Sequence, residues 1–355
     1  MHAPETRPDT DGPVQTEVIL GSPVESRANS HTLNLRAGEW VEIRSPQEIL
    51  STLDETQALE GLPFMPEMLQ YCGRTFRVYK TAHKTCDTVK DYNIRRMANA
   101  VHLEGLRCDG EEHAGCQAGC LLYWKEAWLK RSATANTAGT DEPDPVVDTS
   151  HRATLLSGTR IPVNSGEPDR FRCQATDLLA FTTEVRRRER WDPRFYLKDL
   201  TFGNVSLADF VRYGVYAAFN AFMARWFGRR YPHLCGRASR QSQAPKLNLE
   251  AGDLVQVRSK SEIQETLGQN MKNRGLHFDV EMVPFCDEGL HRVLTRVERI
   301  VDEKTGQLIQ LPNPCLILDG VTCSGKLSSS RMFCPRSIYP FWREVWLKRV
   351  DEPHA

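Results

Sequence analysis

The sequence predicts an α+β protein in which two duplicated, mostly β domains flank a helical insert. Three observations carry this. The stretch "LNLRAGEWVEIRSPQEILSTLD" at 33–54 returns as "LNLEAGDLVQVRSKSEIQETLG" at 247–268. Each copy closes alike, with "WKEAWLKR" at 124–131 and "WREVWLKR" at 342–349. Between the copies, "SLADFVRYGVYAAFNAFMARWFGRR" carries its apolar residues at helical rather than strand spacing.

Each copy opens with Gly-acid and then alternates apolar and polar residues, Trp40, Val41 and Ile43 in one and Leu254, Val255 and Val257 in the other. That is a short strand entered from a turn. "PQEILSTL" and "KSEIQETL" follow a serine and space their apolar residues three and four apart, so each reads as a short helix capped by Ser45 or Ser259. "RTFRVYKTA" and "HRVLTRVERIVD" alternate as strands, "DEKTG" at 302–306 is a hairpin turn, and "CLILDG" and "EVWLKRV" add further strands. Gly61, Leu62, Phe64, Glu67, Met68 and Cys72 match Gly275, Leu276, Phe278, Glu281, Met282 and Cys286. The openings "AGEWVEIRS" and "AGDLVQVRS" resemble the first strand of SH3-like, KOW-type small barrels. The resemblance covers that opening and the number of strands. It implies an SH3-like barrel in each copy and a binding role.

The remaining organisation follows from composition. Residues 1–30 read as a disordered tail, 31–131 as the first repeat, 132–170 as a Thr-, Asp- and Pro-rich linker, 171–240 as the helical insert and 245–351 as the second repeat. Within the insert, a helix is expected over 171–187, a turn and short helix over 191–200, and a long helix from Ser206 ending at Gly228. The 46 basic and 46 acidic residues cancel, so no overall field draws the chain to nucleic acid or an anionic membrane. No apolar run reaches the ~18 residues of a spanning helix. The N-terminal "MHAPETRPDTDGPVQTE" has no apolar stretch of the secretory kind, which makes the cytoplasm the expected compartment. There thiols stay reduced, so the eleven cysteines read as metal-binding, reactive or buried rather than as a disulfide framework.

The segment "RCDGEEHAGCQAGC" at 107–120 concentrates that chemistry. Cys108 and Cys116 have counterparts in Cys323 and Cys334, whereas Cys86 and Cys120 face Val301 and Ile338 in the second copy. The expected metal site is therefore Cys86, Cys108, Cys116 and Cys120, with His83 and His113 as additional ligands. Four thiolates suit structural zinc, with an iron–sulfur cluster as the alternative. The spacing C-x21-C-x7-C-x3-C matches no standard finger or ferredoxin pattern, and small buried core thiols are the competing reading. No nucleophile elbow, phosphate loop or dinucleotide fingerprint is present. The aromatic closing motifs, Tyr123, Trp124, Trp128, Trp342 and Trp346 among them, read as core before they read as a recognition groove.

The long helix places Phe210, Phe219, Phe222 and Trp226 on one apolar face. That face packs internally, docks another protein, or lies on a membrane surface, in that order of expectation. Nucleic-acid binding is disfavoured by the balanced charge. The combined expectation is a cytoplasmic, metal-binding accessory or interaction protein. The alternative is a metal- or thiol-dependent enzyme of specialised metabolism with its site in the first repeat.

Overall fold

The computed structural model describes residues 32–133, 149–163, 166–186, 188–238 and 247–351; the expected N-terminal tail lies outside the described residues. The fold is mixed α+β, and every sheet is antiparallel. In the first repeat the strand order is Trp124–Lys125, Ala100–Leu103, Thr75–Thr81, Trp40–Ile43 and Leu129–Arg131. In the second it is Leu308–Leu318, His291–Val301, Leu254–Val257 and Leu347–Arg349. The opening strand thus lies between the second strand and the closing strand in both. Val41 and Ile43 point into one core, Val255 and Val257 into the other. The registers agree, with Val41 opposite Arg131 and Ile43 opposite Leu129, and Val255 opposite Arg349 and Val257 opposite Leu347.

The helices form where the capping serines predict. Ser45 and Glu48 close a capping box at Pro46–Leu50, and Ser259 and Glu262 close one at Lys260–Thr266. The indole N–H of Trp128 donates to Thr52 Oγ1 at 3.0 Å, and that of Trp346 donates to Thr266 Oγ1 at 2.9 Å. Phe64 packs edge-on against Trp124 and Trp128, with ring centroids 6.2 and 5.2 Å away. Phe278 repeats this against Trp342 and Trp346 at 6.2 and 5.3 Å. The aromatic closing motifs are therefore core: Trp128 and Trp346 each satisfy the indole N–H on a threonine hydroxyl, while Trp124 and Trp342 are enclosed with the indole N–H unpartnered.

The region between the repeats differs from its sequence expectation in two places. Within the expected linker, Thr149–Thr159 is a helix whose Leu155 is buried in the first core, and Arg160–Ile161 pairs with Arg170–Phe171. One leucine and one phenylalanine in a polar stretch are enough to anchor it, and composition averages hide them. The helix expected over 171–187 is instead a series of turns followed by the strand Thr183–Glu184, which joins Ile94–Arg96. Gln174 explains the break. Its amide donates to the carbonyls of Pro63 and Tyr123 and accepts from Tyr123 N–H, tying the segment to the first repeat. The short helix Pro193–Thr201, capped by Asp192, and the long helix Leu207–Phe227, capped by Ser206 and ended by Gly228 at φ 64°, form as expected.

The repeats dock on each other reciprocally. At the end of His291–Val301, the Val301 N–H donates to Cys116 Sγ at 3.3 Å. At the end of Lys84–Cys86, the Cys86 N–H donates to Cys334 Sγ at 3.2 Å. Each strand end thus seats in the cysteine loop of the other repeat. Arg107 lies over the Tyr339 ring at 3.7 Å and donates to Ser337 O, while Arg336 donates to Thr88 and pairs with Glu303.

Two buried histidines couple this core to pH. His102 Nδ1–H donates to Leu122 O at 2.9 Å and is fully enclosed; His83 sits beside Asp199. Burial pushes both down to about 3 from the ordinary 6.5. A depressed histidine leaves the unfolded chain binding the proton first. Stability is therefore full above pH 6.5 and is lost as pH falls toward 3. Each contributes about 2 kcal/mol of loss by pH 5. In urea unfolding at pH 7 and pH 5, His102→Asn should lose about 2 kcal/mol less than the parent protein between the two pH values. Equal losses would show that this imidazole protonates inside the fold.

Candidate metal centre

The 107–120 segment is a closed loop. Arg107 bridges to Leu121, and the Cys108 N–H donates to Cys120 O at 2.9 Å, drawing its two ends together. Inside, the His113 N–H donates to Gly110 O and the Cys116 N–H to His113 O. Gly110 is at φ 75°, and a Cβ there would lie 1.9 Å from Cys116 O, so only glycine permits this winding. The winding turns His113 inward, where it is 2% exposed. It faces Glu67, which the 3₁₀ turn Pro66–Tyr71 presents from the opposite wall.

Glu67, Cys108 and His113 converge. His113 Nδ1 lies 2.6 Å from Glu67 Oε1, and the Cys108 thiol lies 3.7 Å from the same oxygen. Among the described residues this is the one group of three His, Cys, Asp or Glu whose ligand atoms all lie within 4.8 Å of one another. His113 Nε2 is 3.3 Å from Arg172 O. A proton on Nε2 satisfies that carbonyl and leaves the Nδ1 lone pair aimed at a carboxylate, two acceptors face to face unless a proton or cation lies between them. Glu67 Oε2 is buried and has no hydrogen-bond partner. Burial, and then the Glu67 charge, push the Cys108 thiol well up.

The second repeat supplies an internal comparison. Glu281, the counterpart of Glu67, is equally buried but fully satisfied. Its Oε1 accepts from the Leu327 and Ser328 N–H groups at 2.7 and 2.8 Å, and its Oε2 from Lys326 N–H and the Ser324 hydroxyl at 3.2 and 2.7 Å. One repeat surrounds the carboxylate with hydrogen-bond donors. The other surrounds it with a thiol and an imidazole, the ligand types of a transition metal.

A cavity of about 40 Å³ adjoins the cluster, lined by Cys108, His113, Cys116, Cys120, Cys173 and Arg336 among others. Burial pushes the Cys120 thiol up to about 12 and that of Cys173 up to about 11. The expected ligand set therefore divides. Cys108, Cys116, Cys120 and His113 gather at this cavity. Cys86 and His83 are not among its lining residues: the strand Lys84–Cys86 pairs with Ile94–Arg96 and carries Cys86 across to Cys334 of the second repeat. His83 sits between Phe195 and Phe202, 3.5 Å from Asp199, which also pairs with the enclosed Lys84.

Sequence reasoning missed Glu67 and Cys173. Glu67 had a readable signal, an acid retained in both copies inside an apolar segment. Cys173 had none, since only the turn that places Gln174 against Tyr123 brings it there.

Phe210 stacks on Phe333 with centroids 5.8 Å apart, and Lys326 pairs with Asp209, so the start of the long helix rests on the second repeat. Among the described residues, Phe219, Phe222 and Trp226 are exposed by 47, 54 and 69%, and the face's internal packing along its later turns is limited to Phe219 against Tyr231, with centroids 5.7 Å apart. No described helix is long and apolar enough to cross a membrane. Compared with protein families, with characterised proteins and with solved structures, the chain shows no match.

The two carboxylates should respond differently to neutralisation. Glu281→Gln removes charge-assisted acceptance from four donors and should cost about 2–4 kcal/mol in urea unfolding. Glu67→Gln, measured in chelator, should cost about 1 kcal/mol, because only a thiol and an imidazole lean on it. Equal costs would make both carboxylates structural caps.

Proposed function

We propose that this chain is a metal-binding protein in which Glu67, Cys108 and His113 hold one transition-metal ion, zinc first, in the loop of the first repeat. The observation that carries this reading is the buried, unpartnered Glu67 Oε2, set beside a thiol and an imidazole where the sister carboxylate Glu281 is saturated. A buried carboxylate oxygen without a donor costs several kcal/mol unless a cation compensates it. The mixed O, N and S set suits zinc at ~2.0–2.3 Å and not a hard ion such as calcium or magnesium. The Arg172 carbonyl on His113 Nε2 is the outer partner expected of a ligating imidazole. The site's role in this reading is to clamp the 107–120 loop to the Pro66–Tyr71 turn, giving zinc a share in folding.

The wider role is that of a cytoplasmic accessory or interaction protein built on two SH3-like repeats. Its exposed helix face, centred on Phe219, Phe222 and Trp226, takes an apolar groove of a partner protein. The matched capping boxes and the common strand order support the repeat reading. A metal-dependent enzyme is the second reading, favoured by one observation: three protein ligands leave a fourth position, and the cavity adjoins it.

Elemental analysis and an absorption spectrum of protein purified without air test the centre, beside a Cys108→Ser/His113→Asn variant. About one zinc per chain, lost in the variant together with thermal stability, is the expected outcome. Iron with visible absorption would transfer the site to the four cysteines around the cavity, Cys108, Cys116, Cys120 and Cys173, whose ring of thiols suits a cluster. No metal in the parent protein would overturn the reading. For the helix, Phe219→Asp should leave unfolding stability within about 0.5 kcal/mol, as a solvent-facing change does. A larger loss would mean that the face is covered within the chain.

A further inference from the structure

We infer that Cys86 of the first repeat and Cys334 of the second form a redox dithiol, which hydrogen peroxide closes to a disulfide between the two repeats. This is independent of the metal centre. Val301 and Cys86 occupy matching strand ends, and each donates its backbone N–H to the cysteine sulfur of the other repeat's loop. At the first of these contacts the donor residue is a valine and the contact ends there. At the second the donor residue is itself a cysteine, so two thiols meet.

The two side chains pack in one small buried cluster with Ile94, Val185 and Phe195, 3 and 4% exposed, and the Cys86 N–H lies 3.2 Å from the Cys334 sulfur. They lie 248 positions apart in the chain, so only the tertiary fold brings them together. The pair is also asymmetric. The Cys334 sulfur accepts the Cys86 N–H at 3.2 Å, and hydrogen bonding from Cys86 pulls its thiol below the ordinary value despite burial. Hydrogen bonding to Cys334, and then burial, push Cys86 well up. Arg336 clamps the arrangement, reaching Cys86 O at 3.4 Å and Thr88 Oγ1 at 2.6 Å while pairing with Glu303. Cys334, whose sulfur holds a backbone N–H donor at 3.2 Å, is therefore the attacking sulfur and Cys86 the resolving one.

The chemistry balances with peroxide as the only oxidant. The Cys334 thiolate attacks one peroxide oxygen, the O–O bond breaks, and the hydroxide that leaves is protonated to water. Cys334 is then a sulfenic acid. The Cys86 sulfur attacks it, the S–S bond forms, the S–O bond breaks, and the departing hydroxide takes the Cys86 proton. Two thiols lose two electrons and one peroxide becomes two waters. Peroxide is small enough to reach the pair through local opening of the loop, where a bulky disulfide oxidant is not.

The test treats the full chain with hydrogen peroxide, alkylates the remaining thiols, and maps the digest by mass spectrometry without reductant. The expected result is a linked peptide pair containing Cys86 and Cys334, an intact mass lower by two hydrogens, and reversal by phosphine. In Cys86→Ser, Cys334 should be trapped by dimedone as the sulfenic acid. Both thiols recovered alkylated from treated protein would overturn the proposal. So would a link from Cys334 to Cys323, or dimedone on Cys86 in Cys334→Ser at the rate seen for Cys334.

Discussion

The structure depends on burying one carboxylate in each repeat. Glu67 and Glu281 are each presented by a 3₁₀ turn to the inside of the loop that follows the central strands. A carboxylate in that position must be compensated, because desolvation without partners costs more than any single packing contact returns. The second repeat meets the demand with two serines and a lysine-leucine backbone pair, winding 324–328 around the side chain. The first meets it with Cys108 and His113 and leaves one oxygen bare. The two similar segments thus meet one electrostatic problem with two chemically different solutions, and the difference locates the candidate centre.

The second constraint is the exchange of strand ends. Neither cysteine loop is finished by its own repeat, since Cys116 takes its N–H from Val301 and Cys334 takes its own from Cys86. From Thr32 onward the chain accordingly packs as one unit instead of two beads. Chemistry in one loop is therefore felt by both repeats. The cavity beside the Glu67 cluster is walled partly by Val301, Glu303 and Arg336 of the second repeat, and the dithiol has one sulfur in each.

The insert packs on the first repeat and leaves the later turns of its long helix exposed. Asn204 pairs with both backbone groups of Thr81, and Asp199 neutralises the enclosed Lys84, so the short helix Pro193–Thr201 is held by polar contacts made in dry surroundings. Those contacts fix where the next helix begins. Beyond Phe210 it carries apolar residues into solvent, which is unfavourable for an isolated chain and is what a docking surface requires.

By itself the sequence determined the internal similarity of the two segments, the order of strands and capped helices in each, the aromatic cores, and the limits of the long helix. These are local properties, set by period, caps and side-chain type within a few residues. It also determined that the 107–120 segment concentrates ligand-type side chains. Which of them meet was decided only by the tertiary structure. Cys86 is close in sequence to the first site and ends in the second repeat, because a strand points where its sheet partners send it. Glu67 and Cys173 are distant in sequence and arrive at the site, because a buried carboxylate and a single glutamine anchor select their positions through contacts between segments.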